Sequence, residues 1–243
     1  MGKYFFKPEN KNGMYITICG NMAHHMFNVL RLRIGASAIL CDGRGNDYSA
    51  VLAETIDSKT LIFRIINVST CNAEPCIPIT LYQGLPKGDK MDWIIEKGIE
   101  AGVTKIIPVI TSRSIAKVKE TAKKTERYMR IAEAAASQSM RGIVPQVLPP
   151  MDFVDAIEYE REQELCLVAY ENERDITIKK ALSHLHPTRT GLWIGPEGGF
   201  AIDEVKVLQS KKNAKVVSLG PRVLRTETAA LVALSQIMCI WDI

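Results

Sequence analysis

The chain has no Cys-x-x-Cys pair, no Gly-x-Gly-x-x-Gly and no eight-residue loop ending in Gly-Lys-Ser/Thr. The missing thiol pair removes the common zinc and dithiol-redox spacings. Without the two glycine-rich fingerprints, a dinucleotide or nucleoside triphosphate is not the expected ligand. The best metal set, Cys71 and Cys76 with His184 and His186, has spacings unlike a zinc site, so no metal is expected. No apolar run approaches the roughly 18 residues that cross a bilayer, and no charged-then-apolar leader opens the sequence. With six scattered cysteines, the expectation is a cytoplasmic protein with reduced thiols and no membrane partner. What is present is ordinary for a globular chain: 243 residues, 47% hydrophobic and 24% charged, enough for one or two domains. The net charge of +4 is unevenly spread, since residues 1–70 carry eight Lys or Arg against five acids. This basic bias points weakly to nucleic acid, and a solvated basic face would look the same.

Residues 1 to about 70 alternate short β-branched segments with turns, at 14–19, 38–41, 48–53 and 61–68. Asp42-Gly43-Arg44-Gly45-Asn46 between two of them signals a hairpin, so a small antiparallel sheet or barrel is expected. Within it, Ala23 to Leu32 reads as one helix with Met26, Val29 and Leu30 at core spacing. His24 and His25 fit a helix start as well as a ligand contact. Two prolines interrupt residues 71–78, which read as a linker, and the division is drawn as 1–72 and 73–243. From Ile79 on, strands alternate with helices: 79–83, a helix near 89–101, 105–110, a long helix near 120–140, 144–147, 165–169 and a helix near 176–185. That alternation implies an α/β domain with a mainly parallel sheet. In the first helix, Met91, Trp93, Ile94, Ile95 and Ile99 supply the apolar stripe and Gly102 the stop.

Two turns near the C-terminus carry the chemistry. One is Ile194-Gly195-Pro196-Glu197-Gly198-Gly199-Phe200; the other runs from Leu219-Gly220-Pro221-Arg222-Val223 through Leu224-Arg225-Thr226-Glu227-Thr228-Ala229-Ala230. Each follows a short apolar run and precedes a helical pattern. Both therefore belong at carboxyl ends of strands, where open α/β sheets bind ligands. Glycine permits close backbone approach to a ligand and proline restricts the turn. A carboxylate in one turn and guanidinium groups in the other imply a ligand that is not simply a phosphate. Either turn alone also fits a tight turn with a helix cap.

Taken together, these turns resemble the signature of the RsmE family, which methylates a uridine N3 of 16S ribosomal RNA with S-adenosylmethionine. Other segments keep the family's order: His24-His25 with Val29-Leu30-Arg31, Glu96-Lys97 through Gly102-Val103, Arg113-Ser114, and Glu133-Ala134-Ala135 with Gln138 and Arg141. Two departures stand out. Ala201 replaces the family's usual Ser, which removes a helix cap of about 1 kcal/mol and leaves Glu204 without a hydroxyl partner. Lys3 replaces an Arg ahead of Tyr4-Phe5-Phe6, a point charge in place of a planar guanidinium.

The resemblance implies a C-terminal SPOUT domain with an α/β trefoil knot, against the ordinary expectation of an unknotted sheet, and a small N-terminal PUA-like β-barrel. It implies a homodimer acting on 16S rRNA of the small ribosomal subunit, not on DNA. Cofactor contacts would come from Ile194, Gly195, Glu197, Gly198 and Gly199, and from Leu219, Gly220, Val223, Leu224 and Ala229. Arg225 would steady the uracil anion, supported by Arg113 and Arg141, with Glu227 fixing the arginine by an ion pair. The bland reading of Glu227 is an acid at a helix N-terminus. No residue stands out as general base, Glu197 and a water both being open. RNA contacts would come from Lys3, Tyr4, His25, Arg31 and Arg33. Competing readings are a SPOUT ribose 2′-O-methyltransferase on rRNA or tRNA, and a non-catalytic RNA-binding assembly factor.

Overall fold

The computed structural model describes residues 3–114 and 121–241. Close packing divides them into two units: residues up to Glu74 together with Ala136–Val144, and Pro75–Ala135 together with residues from Pro145 onward. Residues 136–144, assigned by sequence to the second domain, thus group with the first.

In the first unit, β1 (Lys3–Phe5), β2 (Lys11–Asn12), β3 (Tyr15–Cys19), β4 (Ser37–Cys41), β5 (Asn46–Asp57) and β6 (Thr60–Thr70) form one sheet, ordered β1-β4-β5-β6-β3-β2. Only β1 and β4 run parallel; the other pairs are antiparallel. The expected hairpin joins β4 to β5. Its Asp42 carboxylate accepts the backbone N–H of Arg44 at 2.8 Å and of Asn46 at 3.2 Å, and Gly43 and Gly45 take positive φ of 69° and 88°. Three register shifts bend the β5–β6 ladder around a core that includes Ile16, Ile18, Leu40, Leu52, Leu61 and Phe63.

The helix expected over 23–32 begins and ends earlier. It runs as α1 (Gly20–His24) into one π-helical turn, His25–Val29, closed by Leu30 N–H donating to His25 C=O at 3.0 Å. The wider turn moves residues three and four apart off a common face. Met26 alone of the expected trio is buried, while Val29 and Leu30 are exposed.

Two cations assigned by sequence to function belong to the interior of this unit. Lys3 is 1% exposed, its ammonium 2.8 Å from the Asp47 carboxylate and 3.2 Å from Cys71 Sγ. An RNA contact needs an exposed charge, so Lys3 does not serve as one. Arg141 is 2% exposed and donates to the Glu74 carboxylate at 2.6 Å. The same carboxylate accepts the backbone N–H of Gly142 at 2.8 Å and of Ile143 at 3.1 Å. Arg141 is therefore a structural cation and not a support for Arg225.

The second unit is built on β7 (Ile79–Gly84), α2 (Lys90–Glu100), β8 (Lys105–Ile110), α3 (Thr121–Gln138, which ends in the first unit), β9 (Gln146–Val147), β10 (Met151–Asp152), α4 (Phe153–Tyr159), β11 (Leu165–Ala169), α5 (Ile178–Leu182), β12 (Thr190–Ile194), α6 (Ile202–Gln209), β13 (Ala214–Val217) and α7 (Thr226–Trp241). Its strands are all parallel, ordered β10-β8-β7-β12-β11-β13 with β9 beside β8. Every residue of β7 and β12 is buried, as expected of central strands covered on both faces. Tyr82 of β7 stacks on Trp193 of β12, with ring centroids 4.5 Å apart.

The expected strand at 144–147 shortens to two residues, and the helix near 176–185 to one capped by the Thr177 hydroxyl. Trp93 lies outside the apolar stripe of α2, exposed on its outer side. Glu204 has found another partner for the hydroxyl that Ala201 lacks: one carboxylate oxygen accepts the Ala201 N–H, completing half a capping box, and the other accepts the Ser112 N–H, both at 2.8 Å.

From β13 at the edge, the chain returns to the middle of the sheet. There Thr226 begins α7, which packs on α2 and α5. Such a return is one that the knotted α/β fold implied by the resemblance would require. No helix among the described residues is long and apolar enough to cross a membrane.

Replacing Arg141 by Leu is expected to cost about 1.5–3 kcal/mol in urea unfolding, because it removes the charge-assisted hydrogen bond to Glu74 and leaves that carboxylate only its two backbone donors. A loss below 1 kcal/mol would contradict the structural role.

Candidate active site

The two glycine turns share one cavity of 470 Å³ at the carboxyl ends of β11, β12 and β13. Its walls are Ala169 at the end of β11 with Tyr170 and Glu171 beyond it, Ile194 at the end of β12 with residues 195–200 beyond it, residues 218–220 and 222–225 after β13, Thr226 and Ala229 on α7, and Lys90 at the start of α2. All ten sequence-assigned cofactor residues line it, and so does Arg225. That size lies within the roughly 300–1,000 Å³ of small-molecule sites.

The first turn is compact because it has no side chains where it folds over. A Cβ on Gly195 would lie 3.0 Å from Gly199 C, and one on Gly84 only 2.4 Å from Pro196 N. Gly199 holds a φ of 66°. The second turn opens differently. Gly220 has a φ of 119°, and a Cβ there would meet nothing within 4 Å. Glycine at 220 therefore serves backbone geometry, while at 84 and 195 it serves close packing.

One hydroxyl ties the turns together. Gln83 Nε2 donates to Thr226 Oγ1 at 2.8 Å, and Thr226 Oγ1 donates to Gly195 C=O at 2.6 Å. Gln83 and Thr226 are both buried. The sequence reading assigns neither residue a role at the site. A polar Gln at the carboxyl end of a mostly apolar strand is the available signal.

The charges are arranged around Lys90. Its ammonium sits 2.8 Å from the Glu197 carboxylate and 3.7 Å from that of Glu227. Burial works against the Glu197 charge. The hydrogen bonds from Lys90 and from the backbone N–H of Glu197 and Lys87 outweigh it, holding the carboxyl below its ordinary range. The hydrogen bond to Glu197 in turn raises Lys90. Glu227 consequently faces Lys90, and the ion pair expected between Glu227 and Arg225 is not formed. Arg113 stands outside the cavity wall. It donates to Gly198 C=O at 2.8 Å, and its aliphatic stem packs on Gly198, so it braces the first turn from behind. Arg141 belongs to the other unit, bound to Glu74. Of the other RNA candidates, Tyr4 is half-buried against the N-terminal core, whereas His25, Arg31 and Arg33 are exposed.

Glu171 and Arg222 complete the polar lining; Arg222 stands in the second turn without an assigned role, and Glu171 is absent from the sequence reading although it follows a strand end as both recognised turns do. Ile194, Phe200, Leu219, Val223, Leu224 and Ala229 form the apolar surface. Carboxylates, cations and this surface together suit a ligand that has a flat apolar part and carries both signs of charge.

A family model described as an RNA methyltransferase domain matches residues 72–238, and one described as an RNA methyltransferase PUA domain matches residues 18–66. The chain belongs to the RsmE family of RNA methyltransferases. It is 36% identical over 247 aligned positions to the ribosomal RNA small subunit methyltransferase E of Bacillus subtilis strain 168, covering 98% of this chain and 96% of that one. The same-named protein of Synechocystis is 34% identical, over 97% of this chain and 76% of its own. Among solved structures, the RsmE protein of Neisseria gonorrhoeae bound to S-adenosylmethionine aligns with a TM-score of 0.88 at 30% identity, covering 99% of this chain and 98% of that one. A Legionella pneumophila protein in complex with the cofactor S-adenosylmethionine aligns with a TM-score of 0.86 at 30% identity, covering 98% and 97%.

Within this RsmE site, Thr226→Val removes one hydroxyl that both gives and takes a buried hydrogen bond. The expected cost is about 1–3 kcal/mol in denaturant unfolding, with Gln83 and Gly195 left unmatched; Thr226→Ser should restore most of it.

Glu197 generates a pH test. Its folded carboxyl lies below the ordinary 4.5, so its stabilisation is fully present above about pH 4.5 and fades as pH falls through the lower folded value. The stability gap between the native chain and Glu197→Gln should thus be constant from about pH 6 to 8 and close in acid. A gap that grows on acidification would reverse the sign.

Proposed function

We propose that this protein transfers the methyl group of S-adenosylmethionine to N3 of a uridine in 16S rRNA of the small ribosomal subunit, acting in the cytoplasm as a homodimer. The observation that carries this reading is the single cavity shared by both glycine turns. Its residues fit the cofactor: Ile194, Leu219, Leu224 and Ala229 offer apolar surface to an adenosine, and Glu197, Glu171 and Lys90 offer both charge signs to an amino-acid end.

When bound, the cofactor supplies a methyl group already activated by its sulfonium, so the protein's task is placement. Alignment at near-contact distance supplies most of the rate that positioning can give. The close-packed glycines and the Thr226 bridge fix the two turns for that purpose. Uracil N3 carries a proton at neutral pH and lies on the pairing edge, so the base must be unpaired when it enters. Arg225, exposed at the cavity wall, offers its guanidinium to the uracil oxygens as charge develops there. Glu197 is a poor acceptor for the N3 proton, because Lys90 and two backbone N–H groups already hold its carboxylate. The proton therefore passes to water. Exposed His25, Arg31 and Arg33 meet RNA phosphates in the N-terminal unit.

The deciding experiment methylates small subunits, or their RNA, from a strain lacking this protein and then digests the product to nucleosides. The expected product is 3-methyluridine; a 2′-O-methylated nucleoside would overturn the base assignment. Arg225→Ala should lower turnover by roughly 10²–10³-fold while leaving cofactor affinity within a few-fold. Near-normal turnover at saturating RNA would remove its role.

A further inference from the structure

The N-terminal unit holds a second reactive cluster that methyl transfer does not use. Lys3 and Cys71 are both buried, with Nζ and Sγ 3.2 Å apart and the Asp47 carboxylate 2.8 Å from the same ammonium. The three come from β1, the start of β5 and the residue after β6, and Cys71 Sγ also faces Met140 C=O at 3.5 Å. Residue 142 must be glycine for Cys71 to sit here, since a Cβ on Gly142 would lie 2.5 Å from Cys71 Cβ and 3.0 Å from its Sγ. Cys41 is close by but differently placed. Its thiol donates to Gly142 C=O at 3.1 Å, and burial pushes it up to about 12, which leaves almost no thiolate. Among the described residues no cluster of His, Cys, Asp and Glu could hold a metal, so cation binding does not explain the arrangement.

We infer that Lys3 and Cys71 are an oxidative cross-linking site, joined through one oxygen as an N–O–S bridge when the protein meets a hydroperoxide. An inserted oxygen nearly spans the observed gap, whereas a direct S–N bond needs the two atoms to approach by more than an ångström. The balance is complete with two equivalents of peroxide. Cys71 sulfur attacks one peroxide oxygen, the O–O bond breaks, and sulfenic acid and water form. The Lys3 ammonium releases its proton to solvent by way of Asp47, the uncovered amine attacks the second peroxide, and a hydroxylamine and water form. Condensation of the two then makes the S–O bond of the bridge and releases a third water. Sulfur and nitrogen each lose two electrons, and each peroxide gains two. The bridge would tie the first strand to the start of the linker at residues 71–78, closing a long loop in the unfolded chain. A thiol reductant reopens it by attack on sulfur.

The test treats the full chain with hydrogen peroxide, digests it without reductant and maps peptides by mass spectrometry. The expected product joins the peptide containing Lys3 to the one containing Cys71, with one oxygen gained and two hydrogens lost. It should be absent after dithiothreitol, and absent from Lys3→Arg, which keeps the charge beside Asp47. The oxidised chain should also melt several degrees above its reduced form. If Cys71 instead ends as sulfinic acid or as a disulfide with Cys41, or stays unmodified while exposed Cys19, Cys76 and Cys239 react, the inference is wrong. The readout is chemical and stands apart from the methyltransferase reading.

Discussion

The Thr226 hydroxyl holds the site together, because it is where three distant parts of the chain are brought into register. It accepts from Gln83 at the end of β7 and donates to Gly195 at the end of β12, while its own backbone starts α7. Two neutral buried hydrogen bonds stabilise a fold only modestly. Their importance is geometric: they set the second glycine turn against the first, and a turn built of glycine has no side chains with which to set itself. The close contact of Gly84 with Pro196 acts in the same direction, since it leaves the first turn only one distance from β7.

Around that frame, charge is distributed so that the cavity keeps both signs without a strong proton acceptor. Lys90 sits between Glu197 and Glu227, which lowers the basicity of Glu197 and leaves Arg225 unclaimed by Glu227. A reaction whose electrophile arrives already activated has little need of a tuned acid–base pair, in contrast to sites that shift titratable groups toward neutrality. Arg113 makes the same point from outside the wall: its guanidinium is committed to Gly198 C=O, and its contribution is the position of the turn.

What was legible in the sequence followed from backbone rules. Apolar strand, glycine-rich turn and helix start are local patterns, and a strand end in an open α/β sheet is a place where ligands bind. Hence all ten expected pocket residues face one cavity. What was not legible depends on side chains that find partners far along the chain. Lys3 meets Asp47 and Cys71, Arg141 meets Glu74, and Glu227 meets Lys90. In each case the sequence shows a charge and gives no sign of what neutralises it. The π-helical turn at 25–29 is a related failure. Its extra residue per hydrogen bond is invisible to a 3.6-residue pattern, and it took Val29 and Leu30 out of the core to which the pattern assigned them.

That last misreading bears on how the N-terminal unit would meet RNA. Counting charges gives residues 1–70 a basic excess of three, which the internal Lys3–Asp47 pair leaves unchanged while removing Lys3 from the surface. The exposed cations at 31 and 33, and the exposed histidines at 24 and 25, instead border the exposed apolar side chains of Val29, Leu30 and Ile34 in sequence. Arg31 itself holds a φ of 55°, a costly conformation for a residue other than glycine. Duplex RNA presents phosphates but hides its base faces, so apolar residues beside the cations would gain nothing from it. A single-stranded or looped segment exposes both phosphate and base, and only there do a basic rim and an apolar surface act together. The surface at residues 24–34 thus agrees with the chemistry proposed for the cavity in the other unit, where the target nitrogen is reachable only on an unpaired base.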